Sequence, residues 1–393
     1  MQNVPMPNQN RQLFLSTMAF ALSFAVWGLL GALAPILKKE LALSQTQTAL
    51  LIAIPVLLGS LGRLVMGVLA DRYGGRIVMS LLLLFTIIPT AGIALSSSYG
   101  NLLFWAFFLG IAGTTFSVGV AFSSKWFDAS KQGTALGILG AGNIGQSIAV
   151  FFAPRLANAF GSWHPVVWIF GLVSLAWGFV FWLFARDAKP GQAKKFSDMI
   201  AVLQHSPMAW LLSLFYFVTF GGFVAMGVYL PTLLTTRYGL ELSDAGLRTA
   251  GFVVIATIMR PIGGWLADKI GGARILVGVY LTIIACALLL IPSSIVTFTV
   301  GALVFAAAVG LGNGAVFKLV PEYFPTETGT VTGLVGAFGG LGGFFPPLEM
   351  GLLLDRTGSY TAGFLALAVV ALVCAVFVAN LARRSSNKRL TPA

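Results

Sequence analysis

The chain has 393 residues, of which 58% are hydrophobic and only 9% are charged. Soluble proteins carry about 25% charged residues, so this composition argues against a water-soluble enzyme and favours an integral membrane protein. The formal net charge of +12 does not indicate nucleic-acid binding, because the basic residues lie at the borders of long apolar runs, where membrane topology places them.

Twelve segments are apolar and long enough to cross a bilayer as helices, which takes about 20 residues each. We therefore expect an all-α membrane protein with twelve transmembrane helices in two six-helix halves. The first span exceeds the apolar core of a signal peptide and is predicted to be retained. A short turn at 292–294 separates the ninth span from the tenth. The predicted spans are 14–37, 47–70, 77–95, 101–123, 133–156, 165–185, 208–234, 245–267, 275–293, 296–318, 328–353 and 360–382.

Lysine and arginine are distributed unevenly between alternate loops. If the N-terminus is inside, sixteen fall on the inner side and six on the outer side, which predicts two cytoplasmic termini by the positive-inside rule. The expected location is the plasma (inner) membrane. The predicted organisation is a cytoplasmic N-terminus (1–13), an N-terminal six-helix bundle (14–185), a cytoplasmic linker (186–206), a C-terminal six-helix bundle (207–382) and a cytoplasmic tail (383–393).

One sequence occurs twice, once in each half. GVLADRYGGR at 67–76 recurs as GWLADKIGGAR at 264–274, at an offset of 197 residues. Each copy connects the second helix of its half to the third, as expected for repeats related by an axis along the membrane normal. The glycines permit a tight turn, and the aspartate and basic residues can form a charge network.

This repeated sequence resembles the loop signature of the major facilitator superfamily. The topological resemblance covers essentially the whole chain and implies alternating access by rocking of the two halves. It also implies gating roles for five charged residues but identifies no substrate. The matching residues are Asp71, Arg72, Arg76, Asp268 and Lys269.

Two arginines, Arg63 and Arg260, lie inside predicted spans, again 197 residues apart. Each precedes the aspartate of its repeat by eight residues, or about 12 Å of helix, which is close to the middle of a roughly 30 Å hydrocarbon core. We expect the two guanidinium groups to face one another across a central cavity.

An arginine at this depth costs about 2.5 to over 10 kcal/mol, and the sequence offers no obvious carboxylate to compensate it. Only Glu349 of the twelve acidic residues lies in a predicted span, nearer its outer end. An anionic substrate held by the guanidinium forks would supply the missing charge. The alternative is that each side chain extends to the membrane interface.

Two predicted helices are rich in glycine. GAGNIG at 140–145 matches the dinucleotide fingerprint, but it lies within an apolar span and not after a β-strand, which argues against nucleotide binding. The corresponding run is GLVGAFGGLGGF at 333–344. Such glycines allow close helix packing and expose backbone groups to a ligand. The amide of Asn143 could donate to a small oxyanion or bond to a neighbouring helix.

Together, these features resemble the nitrate/nitrite porter family within the superfamily. Its members carry a Gly-Asn signature in helix 5, a second glycine signature in helix 11 and an arginine in each of helices 2 and 8. The run GNGAVFK at 312–318 is also similar. The resemblance implies that Arg63 and Arg260 clamp an anion between aromatic rings. The other implied substrate-binding residues are Asn143, Gly142, Gly339, Gly340, Phe116, Tyr216 and Phe220.

The resemblance implies transport of nitrate and nitrite by alternating access, either as nitrate/nitrite antiport or as nitrate/proton symport. No histidine or carboxylate is predicted at the midplane, which favours antiport. The sequence departs from the family at Thr114 and Thr115, where relatives often have glycine and asparagine.

A carrier of small carboxylates such as formate or oxalate is the alternative, and a membrane-bound dinucleotide enzyme is a third reading that only the fingerprint match favours. We expect a monomer in a lipid bilayer that uses no cofactor, metal or nucleic acid. Cys286 and Cys374 lie in apolar runs and are predicted to be packing residues.

Overall fold

The computed structural model describes residues 8–127, 129–188, 206–324 and 328–390, which are helical apart from short connections. In this part of the chain, twelve helices are long and apolar enough to cross a membrane. They are numbered α1 to α12: Gln9–Glu40, Gln45–Tyr73, Gly75–Ala94, Tyr99–Ser124, Ala135–Phe160, His164–Phe184, Pro207–Tyr238, Leu242–Ile270, Gly272–Leu289, Ile295–Tyr323, Thr330–Thr357 and Thr361–Arg383.

The prediction of an all-α membrane protein with twelve transmembrane helices is confirmed, including the break between α9 and α10. The helices extend past several predicted ends. Lys38 and Lys39 lie in the last turn of α1, and Arg237 lies in the last turn of α7, rather than in loops. Hydropathy marks only the part of a helix at hydrocarbon depth, so polar end turns escape it.

Three predicted segments lie wholly or partly outside the described residues. Most of the predicted linker, 189–205, is among them, as are 1–7 of the predicted N-terminus and 391–393 of the predicted tail.

The helices differ in how much protein covers them. The most apolar stretches of α1 and α7 are 83% and 72% buried, whereas those of α6 and α12 are each 33% buried. On α12 the exposed side chains include Val369, Leu372 and Val376. A helix that is apolar on its uncovered face requires lipid there, so α1 and α7 lie at the centre and α6 and α12 at the periphery. Cys286 and Cys374 are buried.

The repeated loop sequence forms the same turn in both halves. Each turn consists of one glycine. Gly74, with φ 93°, connects α2 to α3, and Gly271, with φ 95°, connects α8 to α9. Only glycine adopts this backbone conformation without strain. The turns place Asp71 and Asp268 at one end of the bundle, which we call the loop-motif end. The opposite end is called the far end.

At the far end, the two halves are in direct contact. The carboxylate of Asp355 on α11 accepts hydrogen bonds from the backbone N–H of Thr46 at 2.8 Å and from its hydroxyl at 2.6 Å. Asp355 thereby caps the first turn of α2, a helix of the other half. The free N–H groups and the dipole at a helix N-terminus favour a negative charge. On α5, the hydroxyl of Ser147 donates to the carbonyl of Ala250 on α8 at 3.1 Å. These bonds hold the far end closed.

Glycines set the closest helix approaches inside each half. A Cβ atom at Gly145 on α5 would overlap the backbone of Ala21 on α1. At Gly278 on α9, by contrast, an added Cβ would meet no atom within 4 Å. The two positions therefore form a matched pair for testing this packing.

The variant Gly145→Ala should lower the midpoint of thermal unfolding in detergent by roughly 1–4 °C, because overpacking a dense interior costs about 1–3 kcal/mol. Gly278→Ala should not lower it, since alanine favours the helix and has room. Fluorescence-monitored unfolding of the purified proteins measures both midpoints. Equal midpoints for the two variants would contradict the close approach of α1 and α5.

Candidate functional site

Arg63 on α2 is 2% exposed, and its charge is held by backbone carbonyls. Its Nε donates to the carbonyl of Gly113 on α4 at 3.1 Å, and its Nη1 donates to the carbonyl of Gly336 on α11 at 3.1 Å. Gly336 belongs to the other half, so this one side chain bridges the two halves. In the described part of the chain, no carboxylate forms an ion pair with Arg63.

A departure of α4 from regular α-helix geometry positions the carbonyl of Gly113. Residues Gly110–Thr114 form a 3-10 helix within the span, and such tighter turns depart from the regular hydrogen-bond ladder of an α-helix. The absence of a side chain at Gly113 also matters, because a Cβ there would crowd Trp27 of α1 and Gly59 of α2. Close packing of α4 against α2 thus brings the Gly113 carbonyl to Arg63.

The third nitrogen of Arg63, Nη2, is buried and makes no hydrogen bond within the described residues. Buried donors in proteins almost always have a partner, and leaving one unpaired is costly, most of all on a charged group. Nη2 is therefore the donor that this guanidinium can offer to an anion.

Aromatic rings surround both arginines. The Cζ atoms of Arg63 and Arg260 lie 5.6 Å and 5.7 Å from the ring centroid of Phe116, so the two cations can be no further apart than the sum of these distances. The Cζ of Arg63 is also 5.2 Å from the ring of Phe220, and that of Arg260 is 5.3 Å from the ring of Phe317. At these distances the negative faces of the rings attract the cations.

Tyr216 completes this aromatic frame. Its ring stacks on Phe220 with centroids 4.9 Å apart and planes 8° from parallel, and it meets Phe317 edge-on at 4.8 Å. Its hydroxyl is buried and makes no hydrogen bond within the described residues. The structure thus brings Arg63, Arg260, Phe116, Tyr216 and Phe220 together.

Asn143 lies near the second arginine. It ends a short 3-10 turn, Ala141–Asn143, and its Nδ2 donates to the carbonyl of Gly140 at 2.8 Å. A Cβ on Gly140 would come to 3.9 Å from Nε of Arg260. The Oδ1 atom of Asn143 is buried and has no partner in the described residues, so one end of this amide is available to a ligand or to water.

The predicted substrate-binding glycines pack against side chains. An added Cβ would overlap Phe20 at Gly142, the ring of Tyr216 at Gly339 and the side chain of Ser60 at Gly340. Their small size makes room for neighbouring helices and for the aromatic frame. Direct contact between these glycines and a substrate stays a prediction. The fingerprint match at 140–145 lies within α5 and includes the 3-10 turn Ala141–Asn143, outside the strand-to-helix context that nucleotide binding requires.

A cavity of about 160 Å³ leads from the site toward the loop-motif end. Its lining includes Arg63 and Phe116 at one extreme and Asp71 at the other, with Gly336 on the wall. Since contacts between the halves close the far end, the site communicates with the loop-motif side. Glu349, the one carboxylate in a predicted span, is exposed, whereas Arg63 is buried.

The charged residues at the loop-motif end pair within each half. Asp71 on α2 is bonded to Lys125 at 2.8 Å, and Asp268 on α8 is bonded to Lys318 at 2.5 Å. The basic residues next to the aspartates contact other groups: Arg72 lies over Tyr73, Arg76 donates to the carbonyl of Trp182, and Lys269 lies over Trp265.

Several residues of the site were not selected from the sequence. The sequence gives no sign of the Gly113 carbonyl, because a 3-10 turn within an apolar run is not visible in composition. It gives none of the Gly336 carbonyl either, because that contact depends on how α11 packs against α2. Phe317 lies in the run 312–318, which is similar to the nitrate/nitrite porter family. That similarity assigns no role to the phenylalanine ring. Lys125 and Lys318 are among the sixteen basic residues assigned to the inner side, and which lysine pairs with which aspartate depends on helix packing.

Known proteins match this chain along most of its length. The family model described as Major Facilitator Superfamily matches residues 15–347. A Bacillus subtilis protein named "nitrite extrusion protein" is 40% identical over 371 residues, covering 94% of each chain. A Thermus thermophilus protein named "probable nitrate/nitrite antiporter" is 40% identical over 376 residues, covering 87% of this chain and 85% of the relative.

Among solved structures, a bacterial homologue of the human lysosomal transporter Spinster, described as inward-facing and unoccupied, superposes with a TM-score of 0.73. It covers 98% of this chain and 99% of its own, at 19% sequence identity. This likeness concerns the fold alone.

The variant Arg63→Lys should weaken binding of nitrate, used as a planar anionic probe, by about 30-fold or more although it keeps the positive charge. A lysine ammonium cannot reproduce the planar fork that reaches two carbonyls and still presents a third donor. Arg260→Lys should lose less, because Arg260 is only partly buried. Calorimetric titration of purified protein measures both affinities. Equal losses in the two variants would contradict the distinct role of Arg63.

Proposed function

Since the chain belongs to the Major Facilitator Superfamily, we propose that it transports nitrate and nitrite across the membrane by alternating access. The observation that carries this proposal is a pair of arginines around one aromatic ring, of which Arg63 is buried and has a free Nη2 donor. The names of the Bacillus and Thermus relatives support the choice of anion.

The shape of the site suits a small planar oxyanion. Guanidinium groups bind such anions through parallel N–H donors that lie in one plane. Stacked rings, here Tyr216 and Phe220 with planes 8° apart, favour flat ligands. Phe116 lies between the two arginines and limits the space that a larger anion would need. The amide of Asn143 adds a neutral group near Arg260.

The charge of the bound anion drives the conformational step. In the empty site the guanidinium groups of Arg63 and Arg260 repel one another, so bringing the halves together over the site is unfavourable. A bound anion offsets this repulsion and attracts an arginine of each half. Loaded protein therefore interconverts between the two facing states more readily than empty protein, which favours exchange of one anion for another.

We propose that the loop-motif end is cytoplasmic, with both termini inside. The bundles 14–185 and 207–382 would rock about the site as a monomer, with 186–206 as the linker. Asp71, Arg72, Arg76, Asp268 and Lys269 would act as gating residues: in this conformation the aspartates pair within their own halves, and closure of the loop-motif end would bring the opposing charges together.

We propose nitrate/nitrite antiport as the mode of coupling. The carboxylate lining the described cavity is Asp71, which already pairs with Lys125. His164 bonds the carbonyl of Ala94 at the far end of the bundle, and His205 lies outside the described residues. The described part of the site thus offers no group suited to carry a proton with each anion. Proton symport is the alternative within this function.

In proteoliposomes, the wild-type protein should take up labelled nitrate, and unlabelled nitrite should compete while formate and oxalate should not. The reason is that nitrate and nitrite can accept hydrogen bonds at every edge of the ion, whereas formate presents a C–H bond at one edge and oxalate is larger and carries a second charge. Arg63→Ala serves as the inactive background, and Arg248→Ala, whose arginine pairs with Asp244, serves as an active control. Competition by formate without competition by nitrite would overturn the substrate assignment.

Counterflow tests the coupling. Liposomes preloaded with nitrite should accumulate external nitrate, and empty liposomes should not, even with an inward proton gradient. The physical reason is that the empty site resists the return step. Strong uptake into empty liposomes that depends on the proton gradient would contradict antiport and favour symport.

A further inference from the structure

Gln146 is a buried amide at the interface between the halves, without a role in the site described so far. Its side chain is fully buried, and neither Nε2 nor Oε1 has a hydrogen-bond partner in the described residues. Both ends of a buried amide are ordinarily paired, because an unpaired end loses its hydration without compensation. Its partners are therefore groups from outside the protein, or groups that another conformation supplies.

Two glycines enclose this amide from opposite halves. A Cβ on Gly28 of α1 would come to 3.1 Å from Cγ of Gln146, and a Cβ on Gly227 of α7 would press on its amide group. Helices α1 and α7 are the most buried of the twelve described spans and lie on the axis between the halves. Gln146 is thus held at the centre of the closed far end.

Gln146 lies nearer to the far end than the two arginines do. It follows Gly140, which neighbours Arg260, by six residues on a helix that runs toward the far end, a distance of about 9 Å. The equivalent position in the other half, 197 residues later, is Gly343. Of these two equivalent positions, only 146 carries an amide.

We propose that Gln146 is the first ligand of an anion that enters from the far end. When the halves separate there, Gly227 moves away with α7, and the amide faces the opened path. Its N–H groups then bind the anion before Arg63 and Arg260 do. A neutral donor attracts an oxyanion without adding a third positive charge, so the anion is passed on to the arginines. This inference rests on the proposed function.

The test is the half-saturation concentration for nitrate on each side of the membrane, measured as nitrate/nitrite exchange in right-side-out and inverted vesicles. Gln146→Met keeps the length of the side chain and removes the amide. It should raise the far-end value by about fivefold, the factor equivalent to roughly 1 kcal/mol for one lost hydrogen bond, and should leave the value at the loop-motif end unchanged.

A second variant separates a ligand from a residue that only sets the balance between conformations. Gln146→Glu would disfavour the closed far end, since a charge is costlier to bury than an amide, and on that ground alone it would lower the far-end value. As a ligand, however, a carboxylate repels the anion. We therefore expect Gln146→Glu to raise the far-end value further than Gln146→Met does.

Ser147→Ala is the matched control. It changes the adjacent residue on α5 and removes a satisfied bond across the same interface, so it should lower the far-end value or leave it as it is. Equal changes on both sides in Gln146→Met, or a lowered far-end value in Gln146→Glu, would overturn the inference. Failure of wild-type protein to exchange nitrate at all would instead contradict the proposed function.

Discussion

The structure depends on how a buried cation is accommodated without a carboxylate. Arg63 is held by the carbonyls of Gly113 and Gly336, one from each half, and by the faces of Phe116 and Phe220. Carbonyl dipoles and ring quadrupoles stabilise a guanidinium but do not neutralise it. The remaining positive charge, with that of Arg260 beside it, gives the centre of the protein its affinity for an anion and makes the empty centre resist closure.

Departures from regular helix geometry occur where this charge is held. The 3-10 turns Gly110–Thr114 and Ala141–Asn143 lie beside Arg63 and Arg260, respectively. Glycines at these levels allow helices to approach until a backbone carbonyl or an amide reaches a guanidinium. Further breaks lie at Thr86 within α3 and at 342–344 within α11, whereas the two single-glycine turns at Gly74 and Gly271 repeat the same geometry in both halves. The loop turns thus share one geometry, whereas the 3-10 turns beside the arginines both lie in the N-terminal half.

Much of the fold and part of the site could be predicted from the sequence. Hydropathy locates the twelve helices because lipid demands continuous apolar length, and the 197-residue repeat alone relates Arg63 to Arg260. Which groups meet the arginines could not be predicted, because this depends on helix rotation and on a 3-10 turn. Phe317 and the Gly336 carbonyl therefore emerged only from packing. Family resemblance selected Phe116, Tyr216 and Phe220 among 32 phenylalanines and 8 tyrosines, a choice that periodicity alone could not make.

The most direct test is an experimental structure of the protein at saturating nitrate. The account predicts one planar density between Arg63 and Arg260, with an oxygen within hydrogen-bond distance of Nη2 of Arg63 and the anion lying against the aromatic frame. Nitrate bound elsewhere, or a protein carboxylate or lipid headgroup bonded to Nη2 with nitrate present, would contradict the claim that a transported anion completes the charge of this site.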